Sequence, residues 1–169
     1  VCKDAFDLVG NQLRHKARLS VDLAPVPPIA ADARKLSQVV INLLVNAAQA
    51  CPPQRSGQNE VVVSLGTNEA GDAVIAIRDN GAGMSRAQLL EAMRLGSSDP
   101  RAPRPQTDLG RFGLGMKTAS FSQCRRMTVV ARQGGDTCVA IWDLDHVEHE
   151  NRWELLTPSS TDAIPFIEK

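Results

Sequence analysis

Two glycine clusters, set in fixed order behind a helix that carries asparagines, constrain this chain more than any other feature. The first, Asp79-Asn80-Gly81-Ala82-Gly83-Met84, ends an apolar strand-like run. The second, Gly110-Arg111-Phe112-Gly113-Leu114-Gly115-Met116-Lys117, opens a helical one. Glycines at these spacings interrupt regular structure and let a backbone come close to a flat or charged group. Upstream, Asn42 and Asn46 stand four apart among Leu36, Val39, Val40, Leu43, Leu44 and Ala47. Those apolar residues have the period of an amphipathic helix over 32–50. Asp32 is its expected N-cap, and Pro52-Pro53 its stop.

The same reading places an amphipathic helix at 3–17 and a strand at 19–23, ended by Pro25, Pro27 and Pro28. Residues 61–78 read as a β-hairpin turning at Glu69-Ala70-Gly71-Asp72. Ser85 is expected to cap a short helix to about Arg94. Residues 96–109 carry Gly96, Pro100, Pro103 and Pro105, too many breakers for regular structure, and long loops inside compact domains are usually functional. A helix is expected over 115–123, then strands at 127–132 and 138–144 joined at Gly134-Gly135-Asp136. There is no internal repeat. The 169 residues fit one domain at roughly 150 residues each. We expect a single domain over 1–157 and a tail or linker over 158–169.

Composition excludes several classes. Lys plus Arg and Asp plus Glu are each 19, for a formal net charge of zero. A nucleic-acid binder normally shows a basic excess, so no nucleic-acid partner is expected, and Arg125-Arg126 reads as solvated surface. The 4 cysteines, at 2, 51, 124 and 138, form no C-x-x-C pair and no zinc spacing with the 3 histidines. They read as free thiols in a reducing cytoplasm. No apolar run approaches the ~20 residues of a membrane helix, and no signal peptide is evident. The chain begins with Val, which fits excision from something longer.

The motifs carry chemistry in three pieces. Gln38, Asn42, Asn46 and Gln49 form a second stripe along the helix. Carboxamides there are usually surface groups, but an Asn oxygen is also a hard ligand for magnesium, which takes few protein ligands when phosphates supply the rest. Asp79 ends a buried strand, where a carboxylate costs free energy unless paired; an adenine amino group is the donor it wants. Taken alone, Asp79-Asn80-Gly81 reads at least as readily as an ordinary turn. The second cluster offers free N–H groups at a helix start, with Lys117 adding charge, which suits phosphate. It departs from both the P-loop and the Rossmann spacing, and taken alone it reads equally as a tight packing contact. Together the pieces describe a pocket for a nucleotide and a magnesium ion.

In this order the pieces resemble the GHKL superfamily of gyrase, heat-shock chaperone, histidine kinase and MutL ATPases. Asn42-Leu43-Leu44-Val45-Asn46-Ala47 is similar to its asparagine box, and the two glycine clusters to its glycine boxes. The resemblance spans roughly residues 5–145. It implies an α+β fold: a two-layer α/β sandwich of Bergerat type, its mixed, mostly antiparallel sheet covered on one face by helices. It implies ATP and Mg2+ as cofactors, under a lid loop at 96–112. By the same carry-over Asp79, Gly81, Gly83 and Met84 hold the adenine end. Asn42 and Asn46 ligate magnesium, and Gly110, Gly113, Leu114, Gly115, Met116 and Lys117 hold the phosphates. Thr137 corresponds by resemblance to a threonine supporting the adenine site.

The subfamily resemblance is divided. Residues 36–50 are similar to sensor histidine kinase catalytic domains, whereas 110–120 look more like microrchidia and chaperone-type ATPases. Hydrolysing branches place a glutamate general base four residues before the magnesium asparagine; here that position is Asn42. A carboxamide accepts no proton at neutral pH, so efficient water activation is not expected. Kinase-type domains carry Asn there and transfer the γ-phosphoryl by positioning and charge neutralisation, which makes Asn42 and Lys117 the expected catalytic residues. His15, His146 and His149 read as surface residues, so the acceptor histidine is expected on a domain upstream of this chain. A response regulator and a homodimer are the further partners implied. An ATPase with nucleotide-driven lid closure and dimerisation is the alternative, and a non-catalytic ATP-sensing module is a third reading.

Overall fold

The computed structural model describes residues 9–10, 13, 15–55, 57–94 and 119–159. Most of the expected 3–17 helix, the 96–112 loop, the whole second glycine cluster and residues 160–169 lie outside the described residues. The chain is α+β and divides into two compact units, Val1–Ala82 and Gly83–Lys169.

In the first unit, β1 (Arg18–Leu23), α1 (Ala33–Ala50), β2 (Glu60–Thr67) and β3 (Ala73–Asp79) follow in order. The strands form a mixed sheet in the order β1-β2-β3. β1 runs parallel to β2, with Leu19 opposite Val61 and Leu23 opposite Leu65. β3 returns antiparallel, with Val61 opposite Asp79 and Val63 opposite Ile77. A parallel pair needs a crossover, and α1 supplies it.

Helix α1 begins where expected. Asp32 Oδ1 accepts the N–H groups of Arg34 (2.9 Å) and Lys35 (3.3 Å), a cap worth about 1 kcal/mol. Its stripe of Val40, Leu44, Ala47 and Ala48 packs with Cys51 onto Val61 and Val63, and Leu19, Ile75 and Ile77 flank that core. Val9, Leu13 and Ala17 complete it from the N-terminal side. The hairpin turn is tied by Asn68, whose carbonyl accepts Gly71 N–H (3.0 Å) and whose Oδ1 accepts Asp72 N–H (2.8 Å).

The second unit holds α2 (Arg86–Met93), β4 (Arg126–Gln133), β5 (Asp136–Asp143) and α3 (Leu144–Glu150). Helix α2 opens with a complete Ser85/Gln88 capping box. β4 and β5 form a hairpin with Gln133 opposite Asp136. Its two loop residues, Gly134 (φ 62°) and Gly135 (φ 92°), both take positive φ, which a two-residue hairpin with glycines favours. Leu89, Met93, Met127, Ala131, Ala140 and Trp142 form its core. Trp142 Nε1 donates to the Met93 carbonyl at 2.9 Å.

The expected strand 138–144 stops at Asp143, and Leu144 begins a helix the periodicity did not reveal. Asp143 Oδ1 caps α3 by accepting the N–H groups of Asp145 (3.0 Å) and His146 (3.3 Å), which turns the chain out of the strand. Beyond it, Leu156 bridges Ile141 by two backbone hydrogen bonds of 2.8 and 3.0 Å. Among the described residues no helix is long and apolar enough to cross a membrane.

Candidate nucleotide site

Asn42 and Asn46 lie one turn apart on α1, off its buried stripe. Asn42 is half-buried and Asn46 is exposed, so the second asparagine is more solvated than its apolar sequence neighbours suggest. Gln38 Nε2 donates to Asn42 Oδ1 at 2.9 Å. This orients the carboxamide along the helix flank. The donor set here is neutral and oxygen-based, which suits magnesium with phosphates as co-ligands. Among the described residues no group of three or more His, Cys, Asp or Glu is placed to hold a metal.

Asp79 is the last residue of β3, half-buried, on the face that packs beneath α1. Burial pushes its carboxyl above the ordinary range, and the Gly81 N–H, donating to Oδ1 at 2.9 Å, partly offsets this. A desolvated carboxylate of this kind favours any ligand that brings an N–H donor. The buried thiol of Cys51 stands in the same surroundings: burial raises its pKa, and the Asp79 charge raises it further.

The chain after Asp79 is fastened to the end of α1. Ala82 N–H donates to the Ala50 carbonyl at 2.9 Å. A Cβ on Gly81 would lie 2.4 Å from that same oxygen. Glycine is therefore required at 81 by close backbone approach. The contact fixes Asp79 against the helix that carries Asn42 and Asn46.

Gly83, Met84 and Thr137 belong to the second unit. Gly83 has φ 66°, and a Cβ there would meet the Arg132 carbonyl at 1.8 Å. Met84 and Thr137 are brought together in a cleft of about 410 Å3, lined also by Ser85, Arg86, Gln133, Gly134, Asp136 and Cys138. Thr137 Oγ1 accepts from Arg132 Nε at 3.3 Å. Gly110, Gly113, Leu114, Gly115, Met116 and Lys117 lie outside the described residues.

Of the histidines, His149 is exposed beside Glu150, and His15 is exposed. His146, expected on the surface, is 28% exposed at its side chain, with Nε2 2.7 Å from Glu154 Oε1. None of the three sits with the asparagines or Asp79 in the sequence pattern that carries the site.

Sequence reasoning passed over Asn59 and Asn80. Asn59 is 1% exposed, and its Nδ2 donates to the carbonyls of Lys16 (2.9 Å) and Pro52 (2.8 Å). Its one available signal was a polar residue closing a loop directly before the Val61 strand. Asn80 stands between Asp79 and Gly81, and its side chain hydrogen-bonds to the backbone of Gln58 and Glu60.

Comparison with known proteins gives a consistent picture. The family model described as "Histidine kinase-, DNA gyrase B-, and HSP90-like ATPase" matches residues 34–167. The cell-division control histidine kinase PdhS of Brucella ovis is 39% identical over 69 residues, 41% of this chain. The PdhS of Brucella canis is 41% identical over 69 residues. The matched part is 6% of the length of these relatives. Among solved structures, the mycobacterial sensor histidine kinase MprB aligns with a TM-score of 0.55 and 24% identity, covering 83% of this chain and 93% of that one. The Acinetobacter baumannii histidine kinase AdeS aligns with a TM-score of 0.51 and 17% identity, covering 83% and 60%. Both alignments bear on the fold alone.

Proposed function

The chain belongs to the histidine kinase-, DNA gyrase B- and HSP90-like ATPase family, and on that premise we propose that it is the Mg-ATP-binding catalytic domain of a histidine kinase. In this reading a histidine nitrogen on a domain outside this chain attacks the γ-phosphorus, the bond to the bridging oxygen breaks, and ADP leaves. The family match runs from 34 to 167 and so includes residues of both units, which supports reading them as parts of one ATP-binding domain; the 1–157 bounds and the 96–112 lid belong to the same proposal. The kinase names of the PdhS relatives point the same way. The reading places the domain in the cytoplasm, where ATP is, and gives it a response regulator as the downstream partner.

Asn42 carries the proposal. A carboxamide cannot take a proton from water at neutral pH. Transfer to a histidine needs alignment and charge neutralisation instead. Asp79 receives the adenine amino group, Asn42 and Asn46 supply oxygen ligands, and the 110–117 amides with Lys117 receive the phosphates. Thr137 supports the base. Magnesium, when bound, neutralises charge on the transferring phosphoryl group.

The test is incubation of the domain with magnesium and γ-labelled ATP, with and without an acceptor helical domain. Label transferred to the acceptor histidine, with little free phosphate, is the expected result. Brisk phosphate release without acceptor decides for a microrchidia- or chaperone-like ATPase that dimerises on lid closure, the reading favoured by the 110–120 run. Tight binding with neither outcome decides for an ATP sensor.

A further inference from the structure

We propose that Asn80 is the positioning residue that holds Asp79 in place for adenine; the inference rests on the nucleotide reading above. The β2–β3 ladder ends with Val61 opposite Asp79, and the next residues must leave the strand so that Gly81 and Ala82 can reach the Ala50 carbonyl. A strand that turns away at once leaves its last residue poorly held. Asn80 prevents this with its side chain. Its Oδ1 accepts the Glu60 N–H at 2.7 Å, its Nδ2 donates to the Gln58 carbonyl at 2.8 Å, and its backbone N–H donates to the Glu60 carbonyl at 3.2 Å.

The carboxamide thus stands in for the missing peptide unit of a continuing strand, offering one acceptor and one donor in the right order. The ladder is extended by one step while the backbone bends toward α1. The segment that Asn80 grips is itself anchored. Asn59, between Gln58 and Glu60, ties its amide to Lys16 and Pro52, and its carbonyl accepts Arg18 N–H at 2.9 Å. Asp79 is held from one side by this frame and from the other by the Ala50 contact. A hydrogen bond to a ligand tolerates little displacement of the acceptor, so losing the clamp loosens recognition of the base without removing the carboxylate.

The experiment compares the wild-type chain with Asp79→Ala, Asn80→Ala and the double variant. Calorimetric binding is measured with magnesium for ATP and for inosine triphosphate, whose base carries a carbonyl where adenine has its amino group. The expected result is that Asn80→Ala weakens ATP about tenfold while leaving inosine triphosphate nearly unchanged. Added to Asp79→Ala, it should have no further effect on either ligand. Equal weakening of both nucleotides would reduce Asn80 to a merely structural residue. Full retention of the ATP preference in Asn80→Ala, with the preference lost in Asp79→Ala, would overturn the Asn80 proposal and leave the adenine site standing. No preference in the wild type, and no effect of Asp79→Ala, would remove the adenine reading and this inference with it. If Asn80→Ala does not fold, Asn80→Asp carries the same comparison, since it keeps an acceptor for Glu60 N–H and lacks the donor to Gln58.

Discussion

Asp79 and Asn42 put most of the proposed chemistry on two side chains, and each makes a direct prediction. Folding buries the Asp79 carboxylate and raises its pKa above the unfolded value. The folded chain therefore binds that proton more tightly than the unfolded chain does. Stability associated with the protonated form is full below the unfolded pKa and is lost as pH rises through the folded one. At neutral pH the charged carboxylate is a liability in the absence of ligand. Asp79→Asn is expected to melt at a higher temperature than wild type at pH 7, and the gap should close as pH falls through the raised carboxyl range. Thermal melts of the two proteins across pH 3–8 check the sign. Asn42→Glu would place a carboxylate, able to act as general base, one helical turn before Asn46. Phosphate release should rise by about 100-fold in a variant that still binds ATP. An unchanged rate would weaken the water-activation argument.

At the scale of elements, two of the described glycines do different structural work from the other described ones. Gly81 is pressed against the Ala50 carbonyl, and Gly83 combines positive φ with the Arg132 carbonyl at 1.8 Å from its missing Cβ. In both cases the obstruction is backbone, which cannot swing aside. Gly81→Ala and Gly83→Ala should each lower unfolding free energy by about 2–4 kcal/mol in urea titrations. Gly66→Ala, where a Cβ meets nothing within 4 Å, should move it by less than about 1 kcal/mol. A second element-level prediction concerns Asp143. Burial acts to raise its carboxyl, but the Arg126 guanidinium and the N–H groups of His146 and Asp145 outweigh that and hold it below the usual range. Asp143→Ala removes the α3 cap and the Arg126 partner together. It should cost about 2–3 kcal/mol at neutral pH, and the deficit relative to wild type should shrink as acid protonates Asp143 in the wild type.

The elements were legible to very different degrees. α1 was readable because its stripe has helical period and Asp32 and Pro52-Pro53 mark its ends. The two hairpins were readable because Gly71, Gly134 and Gly135 stand where turns need positive φ. α3 was not, because Leu144–Glu150 has no buried residue and hence no apolar stripe to detect. Its cap, Asp143, also ends a strand.

For the molecule as a whole, the proposed ligand should act as a stabiliser. Anything that binds only the folded state raises its stability, by about 2.7 kcal/mol at a ligand concentration 100 times Kd. Thermal melts should therefore shift upward with magnesium and ATP, and chelation of the metal should reverse much of the shift. A shift equally large with ATP and chelator would mean the asparagines play no part in holding an ion. This measurement tests the proposed role of the second glycine cluster as well, because phosphate contacts there would add to the same affinity.

What the chain's order of residues decided unaided is local. Periodicity, caps, prolines and turn glycines act over a few positions, so the helices and hairpins they specify can be read from neighbours alone, and the order of the three boxes identifies the fold. Only tertiary structure decided that β1 lies parallel to β2, that Asp79 is half-buried beneath α1, and that Asn80 completes the ladder while Ala50 draws the chain aside. Those features come from contacts between segments 20 to 42 residues apart. A carboxylate's desolvation and a carboxamide's partners exist only once such segments meet, because burial is a property of the surroundings and not of the residue itself.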